Sequence, residues 1–205
     1  MNHEKADFFD SQVDAPWADT PYGRAEKPKL ERLFFHCGPL KGRTVLEPGC
    51  GTGRLTQALS LAVGPTGCVY ACDISPKMVS KARECTCGIP QARVSYAAME
   101  DLDIEAESVD LVICHQVFPH FFDKSSALGW IDKVLKPEGA LLIVHFECRD
   151  VINDVHRKAG TAVKHDNLPD REEMAEMLSA ANFQIEYYSD DPDLGYLLKA
   201  NRVLS

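Results

Sequence analysis

A single stretch constrains this chain more than any other. An apolar run, Arg43-Thr44-Val45-Leu46-Glu47, reads as a short buried strand, and Gly53 to Val63, with Leu55, Leu59 and Ala62 on one side, reads as a helix. Between them lies Glu47-Pro48-Gly49-Cys50-Gly51-Thr52-Gly53, so strand must become helix within a few residues. Alternating glycines let the backbone turn sharply and approach a ligand, while the helix start offers unpaired N–H groups. Dinucleotide sites use G-x-G-x-x-G there to seat a pyrophosphate. That pattern is absent, because Arg54 stands three residues after Gly51, and Glu47 puts a carboxylate on the ligand side. A carboxylate repels phosphate and suits a cation.

The rest of the chain alternates in the same way. Glu26 to His36 reads as a helix ended by Pro39 and Gly42, and Cys68 to Asp73 as the second strand. Ser75 and Pro76 are a good N-cap and first-turn pair for a helix to about Glu84. Arg93–Tyr96 and the almost wholly apolar Val109–Cys114 are the third and fourth strands, the latter suited to a sheet covered on both faces. A helix from Lys124 to Leu135, the turn Pro137-Glu138-Gly139 and a strand from Ala140 to Phe146 follow. After a helix from Asp170 to Ala181, the strands Phe183–Tyr188 and Gly195–Ala200 are joined too briefly to be parallel. The expectation is an α/β, doubly wound, mostly parallel seven-stranded sheet whose last strand is antiparallel. Residues 26–205 form that domain. Residues 1–25, with Phe8, Phe9, Trp17 and Tyr22 but no sustained period, are a lid or a flexible segment.

Asp73 ends the second strand, where a carboxylate can accept both hydroxyls of a ribose. S-adenosylmethionine carries an ammonium and a sulfonium and no phosphate, which suits Glu47. Val45 to Leu55 resembles motif I of the class I, Rossmann-like S-adenosylmethionine-dependent methyltransferases, specifically their small-molecule (type 11/25-like) branch. Asp73-Ile74-Ser75-Pro76-Lys77-Met78 resembles their second motif, and Leu135-Lys136-Pro137-Glu138-Gly139 the turn before their fifth strand. The resemblance implies that Glu47, Gly49, Cys50, Gly51 and Gly53 line the methionine and ribose part of the cofactor and that Asp73 holds the ribose. It also places Ile74 and Met78 near the adenine, Met99 and Glu100 at its edge, and Cys114 and His115 beside the methyl donor. Ala98 departs from the pattern, since many relatives carry an acid there.

Methyl transfer from a sulfonium needs chiefly an oriented nucleophile, and a base only when the acceptor reacts as an anion. The candidates are histidines. His115 follows the fourth strand, His145 ends the fifth, and His156 follows with Asn153 at i,i+3 spacing, so all three can face the carboxyl ends of the strands. Their alternative reading is a polar pocket wall with surface histidines. No pair has helical metal-site spacing, so no metal is expected.

Composition narrows the partners. With 22 basic against 31 acidic side chains the chain is poorly suited to nucleic acid, whose binding rests on phosphate neutralisation. The run Cys114-His-Gln-Val-Phe-Pro119 is not the Asn/Asp-Pro-Pro-Tyr/Phe signature of exocyclic-amine methylation. Eight cysteines without a C-x-x-C pair read as buried free thiols of a reducing, cytoplasmic setting. No apolar run reaches membrane-spanning length, and the first residues lack a signal-like apolar core. The expected activity is methyl transfer to an unidentified small molecule. The alternatives are a non-catalytic S-adenosylmethionine-binding accessory protein and, less favoured, an RNA methyltransferase.

Overall fold

A computed structural model describes residues 2–203. Seven strands form one sheet: β1 (Thr44–Pro48), β2 (Cys68–Asp73), β3 (Ala92–Tyr96), β4 (Val109–His115), β5 (Leu135–His145), β6 (Phe183–Asp191) and β7 (Gly195–Arg202). Their order is β3-β2-β1-β4-β5-β7-β6. The first five pair in parallel, while β7 runs antiparallel to both β5 and β6. The chain order reverses between β1 and β4, which opens a crevice beyond their carboxyl ends.

Strand periodicity sends alternate side chains to opposite faces. Val45, Leu111, Ile113, Leu142 and Val144 pack under α3 (Lys27–Cys37) and α4 (Arg54–Val63), through Leu33, Leu55 and Leu59. Leu46, Val112, Leu141, Ile143 and Leu198 face α6 (Lys124–Val134), α7 (Arg149–Lys158) and α8 (Arg171–Ala180), through Leu128, Ile131, Ile152 and Met174. Each such Leu or Ile sealed from water contributes ~1.5–3 kcal/mol, and both faces are lined with them.

The expected strands and helices recur with ends moved by one to three residues, and two differences have physical causes. The turn at Pro137-Glu138-Gly139 is absorbed into β5, whose ladder with β4 shifts register between Val109 and Leu111. The first 25 residues contain α1 (His3–Ser11) and α2 (Pro16–Asp19). Their apolar periodicity is weak because α1 is too short and too acidic to show a stripe. It is held instead by polar anchors to distant segments, Lys5 to Asp166 and Asp10 to Ser75. α5 (Pro76–Cys85) lies beside β2, with Ser75 capping it by accepting from Met78 N.

Candidate functional site

The turn after β1 is held open by two glycines in the left-handed region. Gly49 (φ +65°) lies where a β-carbon would overlap the side chain of Val117, in the segment following β4. Gly51 (φ +54°) is different: a β-carbon there meets no protein atom within 4 Å and projects into a cavity. Two hydrogen bonds tie the turn to β2. Cys50 N donates to Cys72 O at 3.0 Å, and Gly51 N donates to Asp73 Oδ2 at 2.9 Å. Asp73 Oδ1 accepts from Ser75 N at 2.9 Å. Asp73 therefore braces the turn and the start of α5, while Ser75 itself is the cap. Each carboxylate oxygen keeps a further lone pair. Burial pushes the Asp73 carboxyl above its usual range, against the backbone N–H groups that stabilise its charge.

The cavity has a volume of about 650 Å³, within the ~300–1,000 Å³ of small-molecule sites. Of the residues expected to bind a cofactor, Glu47, Gly49, Cys50, Gly51, Asp73, Ile74, Met78, Met99, Glu100 and His115 all line it. Glu47 is sealed from bulk water and its only hydrogen-bond partner among the described residues is Thr56 Oγ1, at 2.6 Å. Burial pushes its carboxyl up to about 8; the Thr56 hydroxyl opposes this and Asp73 adds to it. Such a group gains from an incoming cation, because the charge that costs most to bury then acquires a partner.

Four expected residues are not on the cavity wall. Gly53 packs against α5, where a β-carbon would stand 2.8 Å from Ala82 Cα, so its smallness serves helix contact. Cys114 points into the apolar cluster beneath α6 because its place in β4 alternates with that of His115. His145 is sealed at the end of β5, with Nε2 unpartnered and Tyr196 the nearest aromatic ring at 6.4 Å. His156 turns toward Asp166, donating Nδ1–H to its carbonyl. Of the three histidines expected to face the carboxyl ends of the strands together, only His115 reaches the cavity wall. Asn153 is committed to both backbone groups of Leu168, and Glu147 reaches out to Lys29 at 3.4 Å.

His115 does line the cavity, but its Nε2 is sealed without a partner and its ring packs on Phe146 at 4.7 Å. Burial, helped by Arg54, drives the imidazole down to about 3. It is a neutral, apolar-facing wall.

The polar end of the cavity is built from residues that no local motif marked. His120 Nδ1 lies 2.7 Å from Asp166 Oδ2, and Lys5 Nζ lies 2.8 Å from Asp166 Oδ1 and 2.7 Å from His120 O. His156 stacks at a tilt on His120, 4.6 Å between centroids. Gln116, also on the cavity wall, adopts φ +56°, a strained choice for a non-glycine residue. His120 lies five residues after His115 at the end of β4, while Lys5 and Asp166 are 161 positions apart and leave no local pattern.

The N-terminal segment lines part of the cavity through Lys5, Phe9, Trp17 and Tyr22 and is bonded to several distant elements. Asp10 accepts from Ser75 Oγ and from Lys77 N (3.1 Å), so it supplements the cap of α5. Lys81 pairs with Asp14 at 2.8 Å and Asp19 at 2.9 Å. Arg54 donates to the carbonyls of Trp17 and Thr20 while lying over the Tyr22 ring, and Thr52 Oγ1 donates to Ala18 O. Lys5 closes the far side through Asp166.

The family described as "Methyltransferase domain" matches residues 39–193, which is most of the chain. A demethylmenaquinone methyltransferase of Staphylococcus aureus is 34% identical over 112 residues, covering 55% of this chain and 46% of that protein. The chain spans less than half the length of the curated relatives it matches. Its fold is that of an S-adenosylmethionine-dependent methyltransferase from Aquifex aeolicus (TM-score 0.71, 21% identity, 94% of this chain and 97% of that one). It is equally similar to magnesium protoporphyrin IX methyltransferase from Synechocystis with bound S-adenosylhomocysteine (TM-score 0.70, 22% identity, 97% and 99%).

Proposed function

We propose that this chain, which belongs to the methyltransferase domain family, uses S-adenosylmethionine to methylate a small-molecule acceptor. The observation that carries the reading is Glu47: a carboxyl group with no cation beside it among the described residues, on the wall of a cavity that Gly51 leaves open. That pair fits the amino-acid end of the cofactor, with the ammonium toward Glu47 and the close approach at Gly51. Asp73 has spare acceptor capacity for ribose hydroxyls, and Ile74, Met78 and Met99 offer an apolar slot for the adenine, with Glu100 at its rim. When bound, the cofactor supplies an electrophilic methyl group on a good leaving group.

What this chain does is hold, orient and exclude water. The glycine turn is fixed to β2 through Asp73 and Cys72, so the binding surface is set before any ligand arrives. Orientation of an acceptor against the methyl carbon is worth up to ~7–11 kcal/mol of barrier. Residues 1–25 serve as the lid over this reaction, a role supported by their bonds to Ser75, Lys81, Thr52 and Arg54. Phe9, Val117, Phe121 and Phe122 give the acceptor side apolar walls around its polar Lys5–His120 group, which favours a small molecule over a polynucleotide. No described helix is long and apolar enough to cross a membrane. The eight unpaired cysteines favour a cytoplasmic setting.

Calorimetry with S-adenosylhomocysteine tests the reading. Wild type should bind, and Gly51→Val and Asp73→Ala should each lose binding; unchanged affinity in both variants refutes it. A metabolite extract incubated with radiolabelled methyl donor, followed by mass spectrometry of the labelled product, then identifies the acceptor.

A further inference from the structure

The proposed methyl transfer leaves the Lys5–Asp166–His120 group unexplained, and any part this group plays in the reaction rests on that reading. We propose that His120 is the base that deprotonates the acceptor, that Asp166 is its positioning residue, and that the acceptor is accordingly a planar, weakly acidic hydroxyl compound, a phenol or enol.

The tautomer is set by the partners. A carboxylate only accepts, so Nδ1 of His120 carries the hydrogen that faces Asp166 Oδ2 at 2.7 Å. Nε2 then bears the lone pair. Among the described residues it has no hydrogen-bond partner, and it is not sealed from solvent as Nε2 of His115 and His145 are, so it opens onto the cavity its ring lines. A neutral imidazole held by a carboxylate on one nitrogen and free on the other is the arrangement general-base chemistry requires.

The groups around the ring keep it neutral until it is used. Burial lowers its affinity for a proton, and Lys5 and His156 add to that; Asp166 opposes them. Asp166 stays charged: burial raises its carboxyl, but the bonds from His120 and Lys5 outweigh it. Lys124 also senses Asp166 and Lys5, and His145 lies on the sheet side as a neutral ring. Lys5 therefore has two effects. It pins the first helix to the base, and it tempers the pull of Asp166 so that His120 is not already protonated when the lid is closed.

The surroundings of Nε2 determine the acceptor class. Phe9 meets the His120 ring edge-on at 5.1 Å, and Phe121 and Phe122 continue the wall. Aromatic side chains offer offset and edge-on contacts to a planar ring. In the step itself, the O–H bond of the acceptor breaks and its proton passes to Nε2. The oxygen electron pair forms the bond to the methyl carbon as the carbon–sulfur bond breaks, leaving a neutral thioether, and the proton later returns to solvent from His120.

The test uses 4-nitrophenol, whose anion absorbs in the visible, bound to full-length protein saturated with S-adenosylhomocysteine. Buffer is set below the titration midpoint of the free phenol. Wild type should raise the ratio of phenolate to phenol at least tenfold over free solution. His120→Gln and Asp166→Asn should bring the bound ratio down to the free value, and Asp166→Glu should restore part of it. Because Asp166→Asn removes the anion beside Lys5 and leaves it only the His120 carbonyl, the Lys5→Met/Asp166→Asn pair is measured beside it and should behave as Asp166→Asn does. Absence of phenol binding, absence of phenolate in wild type, or its persistence in His120→Gln overturns the proposal. If wild type fails to bind S-adenosylhomocysteine, the cofactor reading falls first; if it binds and no phenolate forms, only the base assignment falls.

Discussion

Glu47→Gln gives the cofactor reading its most quantitative test. In the folded protein the Glu47 carboxyl titrates at about 8, against an ordinary 4.5. Below 4.5 folded and unfolded chains both hold the proton, and the group adds no pH dependence. Between 4.5 and about 8 the folded chain keeps a proton that the unfolded chain has lost, so stability falls as pH rises. The accumulated loss is ~5 kcal/mol at pH 8 and above, from about 1.4 kcal/mol per pH unit across that window. Glutamine can still accept from Thr56 Oγ1 and does not ionise. The ligand-free variant should thus match wild type near pH 4 and exceed it at pH 8, by roughly 10–20 °C in melting temperature for a chain of this size. Titrating groups that do not interact with Glu47 are common to both proteins and cancel; Asp73 is the coupled carboxyl beside it. Binding should move the opposite way. Wild type should release up to one proton on taking S-adenosylhomocysteine at pH 6–7, visible as a buffer-dependent calorimetric heat, whereas Glu47→Gln should release none and bind more weakly. Melting curves from pH 4 to 8.5 decide the matter: a pH-independent gap, or a variant less stable than wild type at pH 8, refutes the claim that Glu47 is a carboxylate held without its cation.

Other perturbations separate the roles of neighbouring residues. Gly51→Val should weaken S-adenosylhomocysteine binding at least a hundredfold while melting within a few degrees of wild type, since only the left-handed φ adds ~1–2 kcal/mol of strain. Gly49→Ala should instead lower the melting temperature, because its methyl group overlaps Val117. His115, held neutral down to about 3 against an ordinary 6.5, contributes stability that is whole above pH 6.5 and is lost as pH falls toward 3, ~5 kcal/mol in all; His115→Gln should flatten that acid limb in chemical denaturation. Lys81→Met removes both ion pairs to the N-terminal segment, which are exposed and therefore weak. Stopped-flow release of S-adenosylhomocysteine should therefore quicken only a fewfold, and an unchanged rate would count against the lid.

The two ends of the cavity differ in how far sequence could reveal them. The sheet was legible because each strand writes its own alternation: Val45 and Leu46, or Val112 and Ile113, show by adjacency that both faces are covered. The short link between β6 and β7 dictated an antiparallel pair through geometry alone. Glu47, Gly49, Gly51 and Asp73 were legible because the turn and the strand end that carry them are continuous stretches whose backbone needs leave a mark on residue type. His145 misled for an equally physical reason. A histidine at a strand's carboxyl end has the right address, but His145 is sealed within the fold beside its β7 pairing partner Tyr196, and pairing partners across a sheet are not written beside one another.

The acceptor end had no such mark. Its base, carboxylate and cation come from a 3-10 turn after β4, a loop after α7 and the first helix, and only the packing of three distant segments brings them within 3 Å. Each looks ordinary in its own neighbourhood. Lys5 reads as a surface lysine in an acidic helix, Asp166 as a loop acid, and His120 as one of several histidines. His120 and Lys5 each help to hold Asp166 as an anion against its burial, so the first helix, which carries Lys5, also tunes the proposed base. The donor end rests on contacts within the sheet and its adjoining turn, whereas the acceptor end depends on a contact from the N-terminal segment.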